Sequence, residues 1–393
     1  LNRAIILVKR KVMAPKRKSD SADSAAEATP GAGHPAAPDV PVRKPKAPGR
    51  SITVKDIAAE VGVSITTVSN VLLGKEGTYS PETGEKVKES ARRLGYRRNN
   101  LARSLVRQRS QTLGVLLEER FNFSHPENQY FVGFLQGFLQ EAARRRYQVK
   151  IVMQANPPSD EIISAVDDAS IDGLAAVVLS PDNALFGWFD HARLPVVLVG
   201  CETRSPKASS VDVDDYESLG ELIEQAWSLG HRRFALVTGE NEHGALSERE
   251  RAFNAHVGGR RVDGGAPMVL RCDMEGHKAD EVLKGLAKLG PAKRPSILVC
   301  ANDLIAVSII RQAAAHGLRV PEDFSVTGFD GFAVGDWCTP RLATVRQPLS
   351  RIGAKAAEIL IESLENPGEA PIQHAVLPGR LLLRESLAAP AAP

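Results

Sequence analysis

An α/β fold in two unequal parts is what the sequence predicts: a small three-helix head with helix-turn-helix spacing, then a larger doubly wound body. Three observations lead there. Between residues 53 and 94, capped amphipathic helical stretches follow one another across short glycine turns. From Thr112 onward, short β-branched runs alternate with longer helical stretches. Charge divides the chain in the same place: residues 1–110 hold 22 Lys and Arg against 10 Asp and Glu, and the remainder holds 28 against 37, beneath a formal net charge of only +3. A cationic front suits a polyanion, whose counterions it releases on docking, while an anionic body stays in solution and repels the same polyanion. A merely solvated basic tail is the plainer alternative.

With 393 residues, the chain exceeds the usual size of one domain, so two or three compact units are expected. Hydrophobic residues at 43% and charged residues at 25% are ordinary globular values. No apolar run approaches the roughly 20 residues of a membrane helix, so no membrane partner is expected. The opening LNRAIILVKRKVMAPKRK is basic, but its apolar core, Ala4 to Val8, is shorter than the roughly 7 to 15 residues of a signal-peptide core. A cytoplasmic location is therefore expected, with Met13 a plausible start. Cys201, Cys272, Cys300 and Cys338 are far apart and lack C-x-x-C spacing, and the nine histidines are scattered. Neither a metal site, a cofactor nor a Cys/His nucleophile pair is expected.

Residues 16–50 are rich in Ala, Pro, Ser, Asp and Lys without an aromatic, and such a composition cannot bury enough surface to fold. The segment reads as a disordered basic arm, adding nonspecific phosphate attraction or serving as an inert extension.

The head begins at Thr53, whose hydroxyl with Asp56 three residues on makes an N-cap. Val54, Ile57, Ala58 and Val61 share one face, and Gly62 supplies the left-handed geometry that ends the helix. Ser64 caps a second helix on which Val68, Val71 and Leu72 point inward and Ile65, Thr66, Ser69 and Asn70 outward. Two helices crossed by a glycine turn form a helix-turn-helix unit, whose second helix fits the DNA major groove. Hydroxyls and the Asn amide reach base edges or phosphates, and Ile65 reaches a thymine methyl. The plainer reading is an ordinary surface helix of a bundle. A third helix fits 80–96, with Ser80 as cap, Pro81 at its first position and Val87, Ala91 and Leu94 inward. Beyond Tyr96, RRNNLARSLVRQRS allows a helix of about two turns, too short to be stable alone and so ordered only by docking.

In the body, TLGVLL, QVKIVM, LAAVVL, PVVLV, RFALV, PMVLR, SILVC and FSVTGF are continuous apolar runs, the mark of parallel strands covered on both faces. Helices are expected at Tyr130 to Arg146, Tyr216 to Leu229, Leu304 to His316 and Ser350 to Leu364. Repeated β-α-β order over some 280 residues suggests two lobes. Ligands of open α/β sheets sit at the carboxyl ends of strands, where Glu118, Glu119, Asn302, Asp303 and Asp330 fall.

The stretches TVKDIAAEVGVSITTVSNVL, NNLARSL, SLGHRRFALVTG, SERERAF, CANDLIAV, GLRVPEDFSVTGFDGF and TPRLATVRQPLSRIGAKAAEILIE, in this order and spacing, resemble the LacI/GalR family of bacterial transcriptional regulators from about Thr53 to Leu387. Beyond the disordered basic arm that composition suggests over 1–50, the resemblance implies a helix-turn-helix DNA-binding domain over 51–98, a hinge helix over 99–110 and a two-lobed periplasmic-binding-protein-like domain for effector and dimerisation over 111–387, which leaves a tail over 388–393. It implies a homodimer on double-stranded DNA bearing a palindromic operator, with Thr53, Ser64, Ile65, Thr66, Thr67, Ser69 and Asn70 at the DNA surface. Asn99, Ala102, Arg103 and Leu105 would follow in the hinge helix, Leu105 as a wedge that kinks the duplex. Arg98 stands where the family commonly has proline.

For the cleft, matched positions name Arg251 and Asp330 as principal polar ligands, with Asn302, Asp303 and Gln347 nearby, Tyr130 and Phe131 as an aromatic pair, and Met274 where many relatives carry an aromatic. Gly200 stands where some sugar responders have Asp, and Glu118 is a candidate replacement. The plainer alternatives are a surface ion pair with Glu248 or Glu250 for Arg251, a capping carboxylate for Asp330, and core packing for the aromatic pair. The expected function is a transcriptional repressor controlled by a sugar or sugar derivative. A solute-binding protein without a regulatory role is the alternative. No nucleophile-elbow, Walker or dinucleotide motif opens a helix after a strand, so an enzyme is not expected.

Overall fold

The structure, a computed structural model, describes residues 52–96, 109–118, 128–154, 160–178, 183, 185–201, 205–239, 244–258, 260 and 266–391. The basic arm and the hinge-helix positions Asn99, Ala102, Arg103 and Leu105 lie outside them. The chain divides between Arg97 and Arg98 into two compact units.

The head holds three helices, α1 (Val54–Val61), α2 (Ile65–Leu73) and α3 (Pro81–Leu94). Thr53 donates both its backbone N–H and its hydroxyl to the Asp56 carboxylate at 2.8 Å, which sets the start of α1. Gly62, at φ 73°, ends it in the left-handed conformation that an L side chain resists. The chain then bends by 110° into α2. There the Ser64 hydroxyl accepts the Thr67 N–H at 3.0 Å, and Ser80 accepts that of Thr83 at 3.2 Å ahead of α3. Ile57, Ala58, Val68, Val71, Val87 and Ala91 form the buried core, with Leu72 and Leu94 half-buried against it. So small a core needs polar support, and Glu60 of α1 supplies it by accepting from the Ser90 hydroxyl at 2.9 Å and pairing with Arg93, both on α3.

In the body the chain runs β1 (Thr112–Glu118), α4 (Asn128–Arg144), β2 (Gln148–Gln154), α5 (Asp160–Val166), β3 (Gly173–Val177), α6 (Leu185–Phe189), β4 (Val196–Val199), β5 (Ser209–Val213), α7 (Asp215–Ser228), β6 (Phe234–Thr238), α8 (Gly244–Gly258), β7 (Met268–Arg271), α9 (Ala279–Ala287), β8 (Ile297–Cys300), α10 (Asp303–Ala313), β9 (Ser325–Asp330), α11 (Val334–Trp337), β10 (Ala343–Arg346), α12 (Leu349–Glu365), β11 (His374–Leu377) and β12 (Arg380–Leu382). One sheet has the order β11-β5-β4-β3-β1-β2, the other β12-β10-β9-β8-β6-β7. Every pairing is parallel except the terminal β10–β12 pair. All eight expected strands are present; β5, β10, β11 and β12 were not anticipated.

Alternation along each strand distributes the core. Leu113, Val115 and Leu117 join Phe134, Phe138 and Ile352 of α4 and α12, while Leu116 joins Ile162 and Phe189 on the opposite face. In the second sheet, Leu236 and Val299 face Phe253 of α8, and Val237 and Cys300 face α9 and α10. Both sheets are thus covered on both sides, as parallel sheets require.

The chain passes between the lobes three times: between β5 and α7, between β10 and α12, and between β11 and β12. The first and third passages are hydrogen-bonded side by side, Asp214 N–H to Leu377 C=O at 2.8 Å and Gly379 N–H to the Ser218 hydroxyl at 3.0 Å. The tail is pinned by His231, which is fully buried. Its Nε2–H donates to the Ala388 carbonyl at 2.8 Å, which fixes the neutral tautomer and leaves Nδ1 to accept from the Ser296 hydroxyl at 3.0 Å. Burial lowers its pKa to about 4.

Helices α4 and α12 approach backbone to backbone at two glycines: a methyl on Gly137 would strike the Ser350 carbonyl, and one on Gly353 the Phe134 carbonyl. Because backbone cannot yield, Gly353→Ala should destabilise the body by about 1–3 kcal/mol in urea unfolding. Gly285→Ala in α9, where nothing lies within 4 Å, should instead stabilise it by about 0.5–1 kcal/mol.

Candidate functional site

Two surfaces carry the chemistry. In the head, Ser64, Ile65 and Thr66 are exposed at the first turn of α2, and Ile65, an isoleucine 49% exposed, has no core partner. Ser69 and Asn70 are half-buried one turn on, while Val68 and Val71 hold the opposite face. This one-sided layout follows from helical spacing alone. Thr53, Ser64 and Thr67 are engaged in the caps, the Ser64 and Thr67 hydroxyls lying 2.8 Å apart. Their side chains position the helix, and Ile65, Thr66 and Asn70 are left as the outward set.

In the body, the polar groups converge at the carboxyl ends of the strands, beside the lobe crossings. At the centre is Arg249 of α8, 5% exposed. Its Nε donates to Asp215 Oδ1 at 2.9 Å and its Nη1 to the Ala301 carbonyl at 2.7 Å, with Asp330 Oδ1 at 3.8 Å and the Phe329 ring 3.9 Å beneath the guanidinium. Asp215 begins α7 at the first crossing. Gln347 lies at the second crossing and donates from Nε2 to Asp330 Oδ1 at 2.7 Å and from its backbone to the Asp330 carbonyl at 3.1 Å. Asp330 holds φ 137°, a strained backbone for a residue with a side chain, kept by these bonds. From the first lobe, Asp212 of β5 and Tyr130 of α4 face the same group, and Gln129 of α4 accepts the Ala333 N–H of the second lobe at 2.9 Å.

The electrostatics are those of too many carboxylates in a dry place. Burial pushes the Asp212 carboxyl up to about 7, with the negative charge of Asp215 adding to it. Burial also raises Asp215 and Asp330, opposed in both by Arg249. Burial first, then Asp212, lifts the Tyr130 phenol well above its ordinary range. The Tyr130 hydroxyl rests against Gly200, at φ 64°, where a Cβ would sit 2.5 Å from it. The glycine at the end of β4 therefore makes room for this ring.

Three expected ligands sit differently. Arg251 is on the outer face of α8, 66% exposed and paired with Glu248, because it is two residues from Arg249 and so about 200° around the helix. Phe131 is 1% exposed in the core of the first lobe, stacked with Phe134 at 6.5 Å. Asp303 is buried but already engaged, accepting from the Thr344 hydroxyl at 2.5 Å and the Phe332 N–H at 2.7 Å, so it fixes the loop after Asp330. Asn302 caps α10 through Oδ1 and holds the Met274 carbonyl through Nδ2 at 2.9 Å, which brings Met274 to the same strand ends. Glu118 ends β1, and its side chain lies outside the described residues.

Arg249, Asp212 and Asp215 were missed. Arg249 was legible from Leu246, Phe253 and Val257, whose spacing puts it on the inward face. Asp212 lies within β5 and Asp215 follows it, and that strand is too polar to be recognised.

Removing the Arg249 side chain strands a buried carboxylate, so Arg249→Ala should cost about 3–5 kcal/mol in urea unfolding, whereas Arg251→Ala should stay within about 0.5 kcal/mol. The raised Asp212 pKa also sets a sign. The unfolded chain loses this proton near pH 4 and the folded chain near pH 7, so this group's contribution to stability is full below pH 4 and is lost as pH rises through that window. Asp212→Asn should flatten the fall of the urea midpoint between about pH 4 and 7.

Residues 53–99 match the family model of bacterial regulatory proteins of the lacI family, and residues 223–387 match a periplasmic binding protein-like domain. The HTH-type transcriptional repressor PurR of Aliivibrio fischeri (strain MJ11) is 28% identical over 321 residues, 80% of this chain and 92% of that protein. The crystal structure of the lac repressor dimer bound to operator and the anti-inducer ONPF superposes with a TM-score of 0.74 at 21% identity, over 86% of this chain and all of that one. A complex of the transcriptional regulator CelR with cellobiose gives 0.60 at 26% identity, over 85% and 99%. With a matching head, a matching periplasmic-binding-protein-like body and relatives that span both, the chain belongs to the LacI family of bacterial regulatory proteins.

Proposed function

We propose that the chain is a transcriptional repressor that acts in the cytoplasm as a homodimer, reads a palindromic operator through α2, and takes a small molecule of sugar-like size between its lobes. The observation that carries this is the pairing, in one chain, of a one-sided recognition helix with a polar cluster at the lobe crossings. Among the described residues no single helix is long and apolar enough to cross a membrane. Ile65, Thr66 and Asn70 would read base edges, and Asn99, Ala102, Arg103 and Leu105 would form the hinge helix in the minor groove.

The cluster draws on both lobes: Tyr130 and Asp212 from the first, Arg249 and Asp330 from the second, Gln347 and Asp215 at the passages. A ligand held by this set favours one relative lobe orientation over the others. Operator DNA, which prefers hinge helices brought together, favours one orientation too. Two ligands that share one equilibrium are coupled reciprocally, by about 1–3 kcal/mol in typical cases. A solute receptor without a regulatory role would have no use for the capped head.

Operators selected from random DNA by the purified protein test the reading. Recovery of a palindrome bound in a salt-sensitive way is expected, with Asn70→Ala weakening it by about 1–3 kcal/mol. Selection that returns no sequence preferred over competitor DNA would overturn it.

A further inference from the structure

The cleft holds one guanidinium among three carboxylates. Arg249 is shared between Asp215 at 2.9 Å and Asp330 at 3.8 Å, while Asp212, half-buried at the end of β5 on the opposite lobe, accepts from the Val213 N–H at 2.8 Å and, among the described residues, forms no ion pair. Among the described residues no Lys or second Arg forms an ion pair with any of the three. The neutral groups incline the same way. Gln347, 5% exposed, spends its amide N–H on Asp330, and its Oε1 is buried without a partner. The Tyr130 hydroxyl is likewise buried and unpartnered, held against Gly200 at the end of β4. Two buried polar atoms without partners are costly unless a ligand engages them.

We propose that the cleft is built for a hydroxylated small molecule bearing a protonated nitrogen, an amino sugar or a related amino alcohol, in preference to a neutral sugar, a sugar acid or a sugar phosphate. This rests on the reading of the cleft as the effector site. An ammonium brings three donors and one positive charge. Placed against Asp212 and Asp330, it relieves the repulsion among the carboxylates, while hydroxyls donate to Gln347 Oε1 and pair with the Tyr130 hydroxyl. A carboxylate or phosphate in the same place would add an anion to a site already short of cations, in surroundings where charges are weakly screened.

The test uses the full-length protein with two matched sets of probes: glucosamine, glucose and glucuronate, and 1-amino-1-deoxysorbitol, sorbitol and gluconate. Melting temperature and calorimetric affinity are recorded for each. At least one amine should bind about tenfold or more tighter than its neutral and acidic counterparts. Asp212→Asn and Asp330→Asn, each first shown by circular dichroism to be folded, should cut that advantage about tenfold. Binding in which neutral or acidic members equal the amine, or an amine advantage untouched by both substitutions, overturns the charge assignment and leaves the effector cleft standing. If no probe shifts the melting temperature, the charge assignment and the cleft reading both fall.

Discussion

The structure depends on a guanidinium that has been taken out of water. Arg249 lies on the Phe329 ring with its donors committed to Asp215 and to the Ala301 carbonyl. A buried charge is tolerated only with close partners, and these partners are distributed along the chain: Asp215 opens a helix at the first passage between the lobes, and Asp330 ends a strand that Gln347 ties to the second. Meeting the needs of one cation therefore fixes the places where the chain crosses from lobe to lobe. Strain at Asp330 and the glycine at position 200 serve the same arrangement, the one aiming a carboxylate and the other admitting the Tyr130 ring.

Rigid packing carries that arrangement outward. Directly after Gln347 the chain enters α12, which meets α4 so closely that glycines replace side chains at the contact. Helix α4 bears Tyr130 beside Gly200 and Gln129, which accepts the Ala333 N–H of the facing lobe. The helix that reaches the facing lobe and the helix that leaves the crossing are therefore held backbone to backbone at Gly137 and Gly353. Close-packed interiors pass displacements on in this way rather than damping them.

How much of this was legible in the sequence depended on whether the local signal was apolar. The head was readable almost to the residue, because Thr53, Gly62, Ser64, Ser80 and Pro81 are local signals whose geometry needs no tertiary context. Strands buried on both faces announced themselves as continuous apolar runs. β5 did not, because Ser209, Ser210 and Asp212 break its pattern, and with it went Asp212 and Asp215, the carboxylates just before and after its end. The late strands β10 to β12 are short, and their places follow from crossings that no local pattern encodes. Position within the family motif points to Arg251, whereas the helical spacing of Leu246, Phe253 and Val257 singles out Arg249. Asp303 was correctly placed at a strand end, but only three-dimensional partners reveal that its oxygens are already engaged.

The central claim is that the charged cluster governs the relative orientation of the two lobes. Electron-spin distance measurements test it most directly, with labels at the exposed positions Met153 in the first lobe and Trp337 in the second and with Cys338 replaced by serine. The account predicts a narrow interlobe distance distribution in the otherwise unaltered protein, and a broadened or displaced one when Arg249 is replaced by methionine in a variant that remains folded. An unchanged distribution in that variant would contradict it.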